Sequence, residues 1–577
     1  MSASDVRALA DSLTALDDET LAGLFLVRQV PAAAGWDDLL DAAESLLDPA
    51  SLDLGYAALT RADADALTDA LTPAPRGTVP SGPPRDALRR AGLIGDDGVP
   101  FDAVRTHRPV AITSAGAASP GAPATDAELA ERAFHAAASL ADIIDVATRT
   151  PLARIGTGAL GATDRRRLVD IGAADDADAA DELLAIAEIA GLIAPDARRW
   201  LVTEASIPWL HDGTIERWGH VARRLGDALP RGLAEGTGWV GLDTWPGAYP
   251  FDPQWPHRAG ELAALFRRWG MIGADGFPPA WGAALAAGGD VDADALQRLL
   301  PGEVDKVFLQ NDLTAIAPGP LRPHLELRLR SMARRESRAQ ASTYRFGADT
   351  IGQALTGGET AASIREFLQE LSLTGLPQPL AYEIDRTADR HGAVRVGPDG
   401  TGATRICGDD AALVSALAVD QSLRPLALTR TGDALVTHTP PESVYWMLVD
   451  ARYPVVAVDG DGRPHRLDRV TVVPEPPTPT PISKYGSLLA RLRSAQPHDT
   501  DAAWRMRELE RAARTRETLT VTVRFPDGAE RDVAVEVLGV GGGRLRGRDA
   551  NSDVERTLPI SHIVSIRHPE ASAPTNT

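Results

Sequence analysis

The amino-acid sequence predicts an α+β multidomain protein. Its 577 residues suffice for three to five domains. In the N-terminal half, apolar side chains recur at helical spacing, as in DADAADELLAIAEIAGLI. From Val304 onward, strand-like alternation is interspersed with amphipathic helices, and TLTVTVRFPDGAERDVAVEVLGV contains the PDG signal of a β-hairpin. We therefore expect a mostly helical N-terminal half, an α+β centre and a small C-terminal β-barrel.

One short glycine-containing pattern occurs three times in the N-terminal half. LRRAGLIGDDGVP, AEIAGLIAPDARRW and FRRWGMIGADGFP each end a helix at a glycine, namely Gly92, Gly191 and Gly270. Glycine adopts the left-handed conformation after a helix without a Cβ penalty. The two apolar residues and the Asp-containing turn that follow are typical of a short hairpin. Because a helix followed by a small hairpin is the last part of a winged helix, the pattern predicts winged-helix-like units.

Composition places the domain boundaries. SAGAASPGAPA has no periodicity, and PEPPTPTP has the composition of a stiff linker. We expect a helical, winged-helix-like unit at 1–112, a linker at 113–125, a winged-helix unit at 126–235, a third helical or winged-helix-like unit at 236–302, an α+β domain at 303–472, a proline-rich linker at 473–482, a helix-plus-β-barrel domain at 483–568 and a tail at 569–577.

Composition also bounds the cellular setting and the partners. The single cysteine, Cys407, excludes a disulfide framework. The N-terminus lacks the features of a secretory signal, and no apolar run is long enough to span a membrane. We therefore expect a cytoplasmic protein without membrane contact. The net charge of −21 argues against non-specific coating of nucleic acid, so any phosphate-facing surface should be local.

Catalytic motifs are missing from the sequence. A P-loop needs a lysine at the end of a glycine loop, but neither of the two lysines, Lys306 and Lys484, follows such a loop. The sequence contains neither H-E-x-x-H nor G-x-S-x-G, and its histidines show no paired metal spacing. We therefore expect a protein that is not an enzyme and that uses no cofactor or metal.

GTGALG, from Gly156 to Gly161, matches the G-x-G-x-x-G fingerprint of dinucleotide-binding turns. That fingerprint needs a second strand ending in an acid about 20 residues later. The sequence there has helical periodicity, so we favour a glycine turn between two helices. We expect a helix-turn-helix from 164–170 and 178–190. Its second helix carries Asp178, Asp181, Glu182 and Glu188, which favours packing or a protein partner over DNA contact.

The centre of the chain resembles a known family. VFLQNDLTAIAPG, STYRFGADTIGQALTGG and FLQELSLTGLPQPLAYEIDRTADRHGAVRV follow one another as in the XPB-type helicase N-terminal domain, in the form found in actinobacterial helicase-associated domain proteins. With the winged-helix-like units upstream, the resemblance covers most of residues 1–472. It implies a nucleic-acid context, with DNA and a helicase or another repair or transcription protein as partners. It does not imply helicase activity, because the motor is absent.

The C-terminal segment resembles a degenerate WYL-type domain, in its order of a helix and a small barrel. The aromatic stretch of that family is replaced by Leu545, Arg546 and Gly547, so the aromatic residues that bind ligands in that family have no counterpart here. Arg544, Arg546 and Arg548 alternate, and we expect them on one face of a strand. That face is a candidate contact for phosphates or an acidic partner; the alternative is a solvated edge strand whose charge prevents aggregation.

The most basic window of the chain runs from Leu321 to Phe346. Its candidate nucleic-acid contacts are Arg328, Arg330, Arg334, Arg335 and Arg338. Arg334 and Arg338 are four residues apart, as on one helical face, and Arg335 lies beside them, so a short helix or loop beside the Tyr344 strand would bring these three to one phosphate run. The alternative is that Glu336 and neighbouring acids neutralise them.

Taken together, the sequence favours a non-catalytic, DNA-associated accessory protein. One alternative is a protein-interaction scaffold without direct DNA contact, which the acidic N-terminal half supports. Another is a ligand-sensing regulator that acts through the WYL-like domain. A contiguous basic stripe would favour the first hypothesis, and scattered, carboxylate-paired arginines would favour the scaffold.

Overall fold

Half of the residues in the computed structural model are helical and 18% lie in strands, so the predicted α+β class is confirmed. The structure describes residues 3–72, 77–112, 122–156, 158–236, 238–337, 341–463, 467, 472–477, 480–495, 500–525, 528–550 and 552–567. The chain divides into two units. One contains 1–115, 247–256 and 478–577, and the other contains 116–246 and 257–477. In the described part of the chain, every helix is too short or too polar to cross a lipid bilayer.

The N-terminal segment is helical, and acidic or hydroxyl side chains start most of its helices. Asp17, Asp38, Asp48 and Thr60 each accept a hydrogen bond from a backbone N–H in the following first turn. The apolar faces of these helices share one hydrophobic core. The helices are α1 (Ala3–Ala15), α2 (Asp18–Val27), α3 (Leu39–Leu46), α4 (Pro49–Ala57), α5 (Arg61–Leu71), α6 (Pro83–Arg90) and α7 (Asp102–Thr106).

The next segment contains the two helices and the hairpin that the sequence predicts, preceded by a long helix and a two-residue strand that it does not predict. It consists of α8 (Asp126–Arg149), β1 (Leu152–Ala153), α9 (Ala162–Asp170), α10 (Ala177–Ile189), β2 (Ile193–Asp196) and β3 (Arg199–Val202). Helix α8 begins in a capping box formed by Thr125 and Glu128. The three strands form an antiparallel sheet in the order β1-β3-β2.

A helical segment rich in tryptophan follows. It contains α11 (Ser206–His211), α12 (Thr214–Asp227), β4 (Ala234–Glu235), β5 (Gly238–Trp239), α13 (Trp255–Arg268), α14 (Ala283–Ala286) and α15 (Ala293–Leu299). Trp218 and Trp269 are buried, and each indole N–H donates to the other's backbone carbonyl, at 2.7 and 3.1 Å. This exchange satisfies both buried indole donors, which would otherwise oppose burial.

The central region contains two sheets with separate hydrophobic cores. The first comprises β6 (Phe308–Leu309), β7 (Thr314–Ala317), α16 (Pro323–Met332), β8 (Arg334–Ser337), β9 (Ser342–Arg345), α17 (Ala348–Thr356), α18 (Ala361–Leu371) and α19 (Gln378–Arg390). Its strands are antiparallel and lie in the order β6-β7-β9-β8.

The second central sheet is mixed. It comprises β10 (Val394–Pro398), β11 (Thr404–Gly408), α20 (Ala411–Val419), β12 (Thr429–Thr431), β13 (Ala434–Thr437), α21 (Pro441–Asp450) and β14 (Val455–Ala457). The order is β12-β13-β11-β10-β14, and β14 runs parallel to β10 while the other pairs are antiparallel. These elements follow the strand–helix order that the sequence predicts for the centre.

The C-terminal segment contains α22 (Pro481–Ser494), α23 (Thr500–Thr515), β15 (Thr518–Arg524), β16 (Glu530–Gly541), β17 (Arg544–Asp549), β18 (Glu555–Pro559) and β19 (Ile563–Arg567). Its strands lie in the order β18-β17-β16-β15-β19. The predicted closed barrel was wrong: within the described residues, the two outer strands β18 and β19 do not pair, so the sheet stays open.

Helix α22 packs into the core of the N-terminal helices, although the sequence grouped it with the C-terminal strands. Tyr485 is buried there, and its hydroxyl donates to the backbone carbonyls of Phe25 and Val30, at 3.1 and 2.8 Å. Helix α23 also contacts the N-terminal helices, because Arg507 forms ion pairs with Asp38 and Asp41 at 2.8 and 2.7 Å. Both ends of the chain therefore build one unit.

The three glycine patterns end their helices in the same way. Gly92, Gly191 and Gly270 have φ angles of 63°, 72° and 74°. In each copy, the N–H after the glycine donates to a carbonyl five residues earlier, at 2.9–3.0 Å, as in a Schellman cap. The predicted hairpin forms fully only in the second copy, as β2 and β3. The first copy has a single bridge from Ile94 to Pro100, and residues 271–279 of the third, all described, contain no strand.

Candidate nucleic-acid interface

The predicted basic cluster between Arg328 and Arg338 does not form one surface. The helix α16 ends at Met332, and the arginines after it lie on strand β8. Alternation along that strand turns Arg334 toward solvent and Arg335 toward the interior. The expectation that Arg334, Arg335 and Arg338 share a helical face was therefore wrong for Arg334 and Arg335; Arg338 lies outside the described residues.

Arg328 is held against the protein by its neighbours. Its guanidinium forms two hydrogen bonds with the Glu359 carboxylate, at 2.8 and 3.0 Å, and lies 4.4 Å from the centre of the Phe367 ring. A two-point arginine–carboxylate pair of this kind has directed geometry and neutralises the cation. Arg328 is therefore a poor candidate for a phosphate contact.

Arg330 and Arg335 belong to a buried ionic cluster with two acids of helix α8. Asp142, which is 2% exposed, accepts from Arg330 Nη1 at 2.5 Å and also from Arg335. Asp145 accepts from Arg330 Nη2 at 2.8 Å, and Glu326 accepts from Arg335 Nη1 at 3.0 Å. Burial lowers the pKa of both arginines, but the nearby carboxylates outweigh it and hold the pKa of each above its ordinary value. These two arginines connect α8 to the central sheet, so they are not available to DNA.

Arg334 is exposed on strand β8, at the edge of its sheet, and forms no ion pair with a described residue. Its register partner on β9 is Arg345, whose guanidinium is paired with Glu336 at 2.5 Å. Glu336, which was expected to neutralise the arginines of this window, therefore pairs with Arg345. Of the four candidates in this window that the structure describes, Arg334 is the one that is exposed and forms no ion pair with a described residue.

The three C-terminal candidates share one face of strand β17, as predicted. Arg544, Arg546 and Arg548 are exposed, and the residues between them are buried. Arg546 is paired with Glu555 at 2.8 Å, and Arg548 lies 3.6 Å from Asp553. Arg544 forms no ion pair with a residue that the structure describes. The basic face exists, but acidic side chains reduce its charge.

The acids of helix α10 pack against arginines of neighbouring helices. Asp181 forms an ion pair with Arg165 at 2.8 Å, and Glu182 forms one with Arg268 at 2.5 Å. Burial raises the pKa of Glu188, and the positive charge of Arg154 partly opposes this shift. This agrees with the sequence-based preference for packing over DNA contact at this helix.

The sequence interpretation missed a basic hairpin beside α10. Arg198 lies in the β2–β3 turn, is exposed and forms no ion pair with a described residue. Arg199 follows it and is paired with Asp196 at 3.1 Å, and Arg154 lies 5.2 Å from the ring centre of Trp200. The signal was present in the repeats: the second copy reads DARRW where the others read GDDGVP and GADGFP.

The glycine loop Gly156–Gly161 closes on its own backbone. Ile155, Gly158 and Gly161 donate their N–H groups to carbonyls within or beside the loop, at 2.8–3.0 Å. The two-residue strand β1 precedes the loop and α9 follows it, but helix α10 occupies the position of the second strand. A dinucleotide turn presents free N–H groups to a pyrophosphate, whereas these three N–H groups of the described residues are already bonded to the protein's own carbonyls.

Residues 307–432 match the protein family described as "Helicase conserved C-terminal domain". The match begins just before β6 and ends with β12, so it covers the first central sheet and most of the second. A comparison with curated proteins finds no match for this chain. The family match supports a helicase-associated domain and suggests a nucleic-acid-associated function.

Proposed function

We propose that this protein is a non-catalytic, DNA-associated accessory protein of a helicase-related repair or transcription system, working in the cytoplasm. The observation that carries the proposal is the helicase-family match over residues 307–432. The predicted likeness of this region to the XPB-type N-terminal domain agrees with that match in position. The partners proposed are DNA and a helicase or another repair or transcription protein.

The placement of both lysines supports a protein without its own ATPase motor. Lys306 donates to the backbone carbonyl of Glu370 at 2.6 Å, and Lys484 lies in helix α22, 4.9 Å from the ring centre of Tyr485. A P-loop lysine instead follows a glycine loop at the end of a strand and contacts phosphates. We expect the purified protein, with or without forked DNA, to hydrolyse ATP no faster than a heat-inactivated sample.

DNA contact is proposed for the hairpin of the winged-helix unit rather than for its second helix. The element order α8-β1-α9-α10-β2-β3 supports the proposed winged helix, and the α10 acids would repel phosphate. Arg198 and Arg199 extend beside them on the hairpin, and Arg154 lies next to the hairpin turn, where its N–H donates to the Arg198 carbonyl at 2.8 Å. Arg544 on the WYL-like sheet is a further exposed cation. Phosphate contacts of this kind give affinity without reading sequence.

A protein-interaction scaffold is the second candidate, and the ion pairs favour it. Arg328, Arg330 and Arg335 are all bound to carboxylates of the protein itself. Together with the net charge of −21, this leaves few cations for a long phosphate backbone. The scaffold would contact a helicase partner rather than its DNA.

Salt-dependent binding distinguishes the two candidates. The assay is fluorescence anisotropy of labelled forked DNA at several salt concentrations, with the double variant Arg198→Ala and Arg199→Ala. Each lost phosphate contact lowers the slope of log affinity against log salt by about 0.9, so the double variant should flatten it by about 2. The matched control, Arg365→Ala and Arg386→Ala, removes two exposed, ion-paired arginines elsewhere and should leave the slope unchanged.

The outcomes are separable. If the parent protein fails to bind forked, duplex and single-stranded DNA at low salt, the scaffold becomes the better explanation. If the parent binds but the hairpin variant and the control behave alike, DNA association stands and the hairpin is removed from the interface.

A further inference from the structure

A cavity of about 860 Å³ opens between helix α8 and the segments 299–304 and 318–327. Its walls are mainly apolar and are formed by side chains such as Phe134, Leu300, Pro320, Leu321 and Leu327. Sites for small organic ligands have volumes of about 300–1,000 Å³ and combine apolar walls with a few polar groups. The size and lining therefore fit a small molecule.

Charged groups also line the cavity. Arg330 and Arg335 lie there, and they are paired with Asp142, Asp145 and Glu326, as described above. These two cations and three anions pair with one another and leave one negative charge in excess. They contribute polarity to the cavity, but both arginines are already held in ion pairs.

Arg217 is the exception among these arginines. It lies on helix α12, is 7% exposed and lines the same cavity. Its Nε donates to the carbonyl of Trp209 at 3.1 Å and its Nη2 donates to the carbonyl of Leu210, while no described carboxylate is within ion-pair distance. Burial lowers its pKa to about 10, although nearby acids oppose this. A buried guanidinium without an ion pair is costly, and a counter-ion in the cavity would relieve that cost.

We propose that this cavity binds a small amphipathic carboxylate. Its carboxylate group pairs with Arg217 and its apolar body lies against the Phe134, Leu300 and Leu327 walls. The charges favour a monoanion, because a dianion would add a second negative charge near Glu326 and Asp142. Carboxylates also match the planar fork of a guanidinium. This site is independent of the proposed DNA contact.

Two exposed acids of α8, Glu128 and Glu131, also line the cavity. Glu128 is part of the capping box with Thr125, so its charge is stabilised at the start of the helix. Glu131 is exposed and lies 3.8 Å from His135. Both would repel a carboxylate placed near them, which favours its placement beside the buried Arg217.

The test uses decanoate and 1-decanol as probes, measured by isothermal titration calorimetry on the full chain. Both have the same apolar chain, and only decanoate has the charge that Arg217 would recognise. We expect saturable decanoate binding to the parent, and decanol binding that is weaker by about ten-fold or more. Arg217→Met should reduce decanoate affinity to the decanol level and leave decanol affinity unchanged.

Arg217 also caps two buried carbonyls, so its variant can lose stability for reasons unrelated to binding. Ala138→Phe on α8 therefore provides a second test, because Ala138 lines the cavity and the larger side chain would occupy part of its volume while leaving Arg217 in place. It should abolish binding of both probes while the protein melts as the parent does. The proposal is overturned if the parent shows no saturable decanoate binding at millimolar concentration, if decanoate and decanol bind equally, or if Ala138→Phe binds decanoate as the parent does.

Discussion

Replacing Asp142 with asparagine should weaken the connection between helix α8 and strand β8. The change keeps the side-chain shape but removes the carboxylate that Arg330 and Arg335 share. Breaking a buried ion pair costs about 3–5 kcal/mol, because it leaves a buried charge without a partner. Here Arg330 keeps Asp145 and Arg335 keeps Glu326. We therefore expect the lower end of that range, about 3 kcal/mol.

The assay is hydrogen exchange at increasing urea concentration, followed by mass spectrometry of peptides from α8, α16 and β8. Unfolding of a multidomain chain has no single two-state free energy, but exchange reports the opening free energy of each segment. The matched control is Glu131→Gln on the same helix, a residue whose side chain is 73% exposed. Because exposed ion pairs contribute little, this control should lower the opening free energy by less than about 1 kcal/mol.

The expected loss should also resist salt, since the cluster is buried and poorly screened. If Asp142→Asn and Glu131→Gln lower the opening free energy of the α8 peptides equally, the buried cluster does not hold these elements together. The same conclusion follows if high salt abolishes the difference between the parent and Asp142→Asn.

Two further predictions concern backbone geometry and pH. Gly158 has a φ of 90°, so Gly158→Ala should cost about 1 kcal/mol or more and lower the melting temperature. The control Gly219→Ala lies inside helix α12, where the new methyl group meets nothing within 4 Å, and should not lower it. Equal melting temperatures of the two variants would contradict this prediction. Burial holds the pKa of His391 below its ordinary value of 6.5. As the pH falls below 6.5, the unfolded chain therefore binds more protons than the folded chain, and the folded state loses stability. His391→Asn should flatten the dependence of the urea midpoint on pH below 6.5, and an unchanged slope would show that other groups cause it.

The sequence predicted local structure well where one residue type decides the backbone. The three glycine caps needed only a positive φ at Gly92, Gly191 and Gly270, which glycine adopts without strain. The strand and helix order of the centre followed from the period of its apolar residues. The alternation of Arg544, Arg546 and Arg548 fixed their common face as soon as a strand was assumed. The loop at Gly158 was identified as a turn because no second strand followed it.

Other features depended on partners that are distant in the sequence. The barrel was predicted from hairpin signals, but closure depends on pairing between the first and last strands of a sheet, which local patterns do not encode. Helix α22 has an ordinary amphipathic pattern, and nothing local indicated that Tyr485 would meet Phe25 and Val30, more than 450 residues earlier.

The sequence by itself determined the composition of the basic window, the absence of a lysine-bearing glycine loop and the local turns. Only the tertiary structure decided which arginines remain available. Nothing in the sequence separates Arg330 and Arg335 from Arg334. Asp142, almost 190 residues away from Arg330, nevertheless binds both Arg330 and Arg335. The physical reason is that the charge available at a surface depends on burial and on the nearest carboxylates, and both are set by packing between distant segments. The same packing leaves Arg217 buried without an ion pair to a described residue.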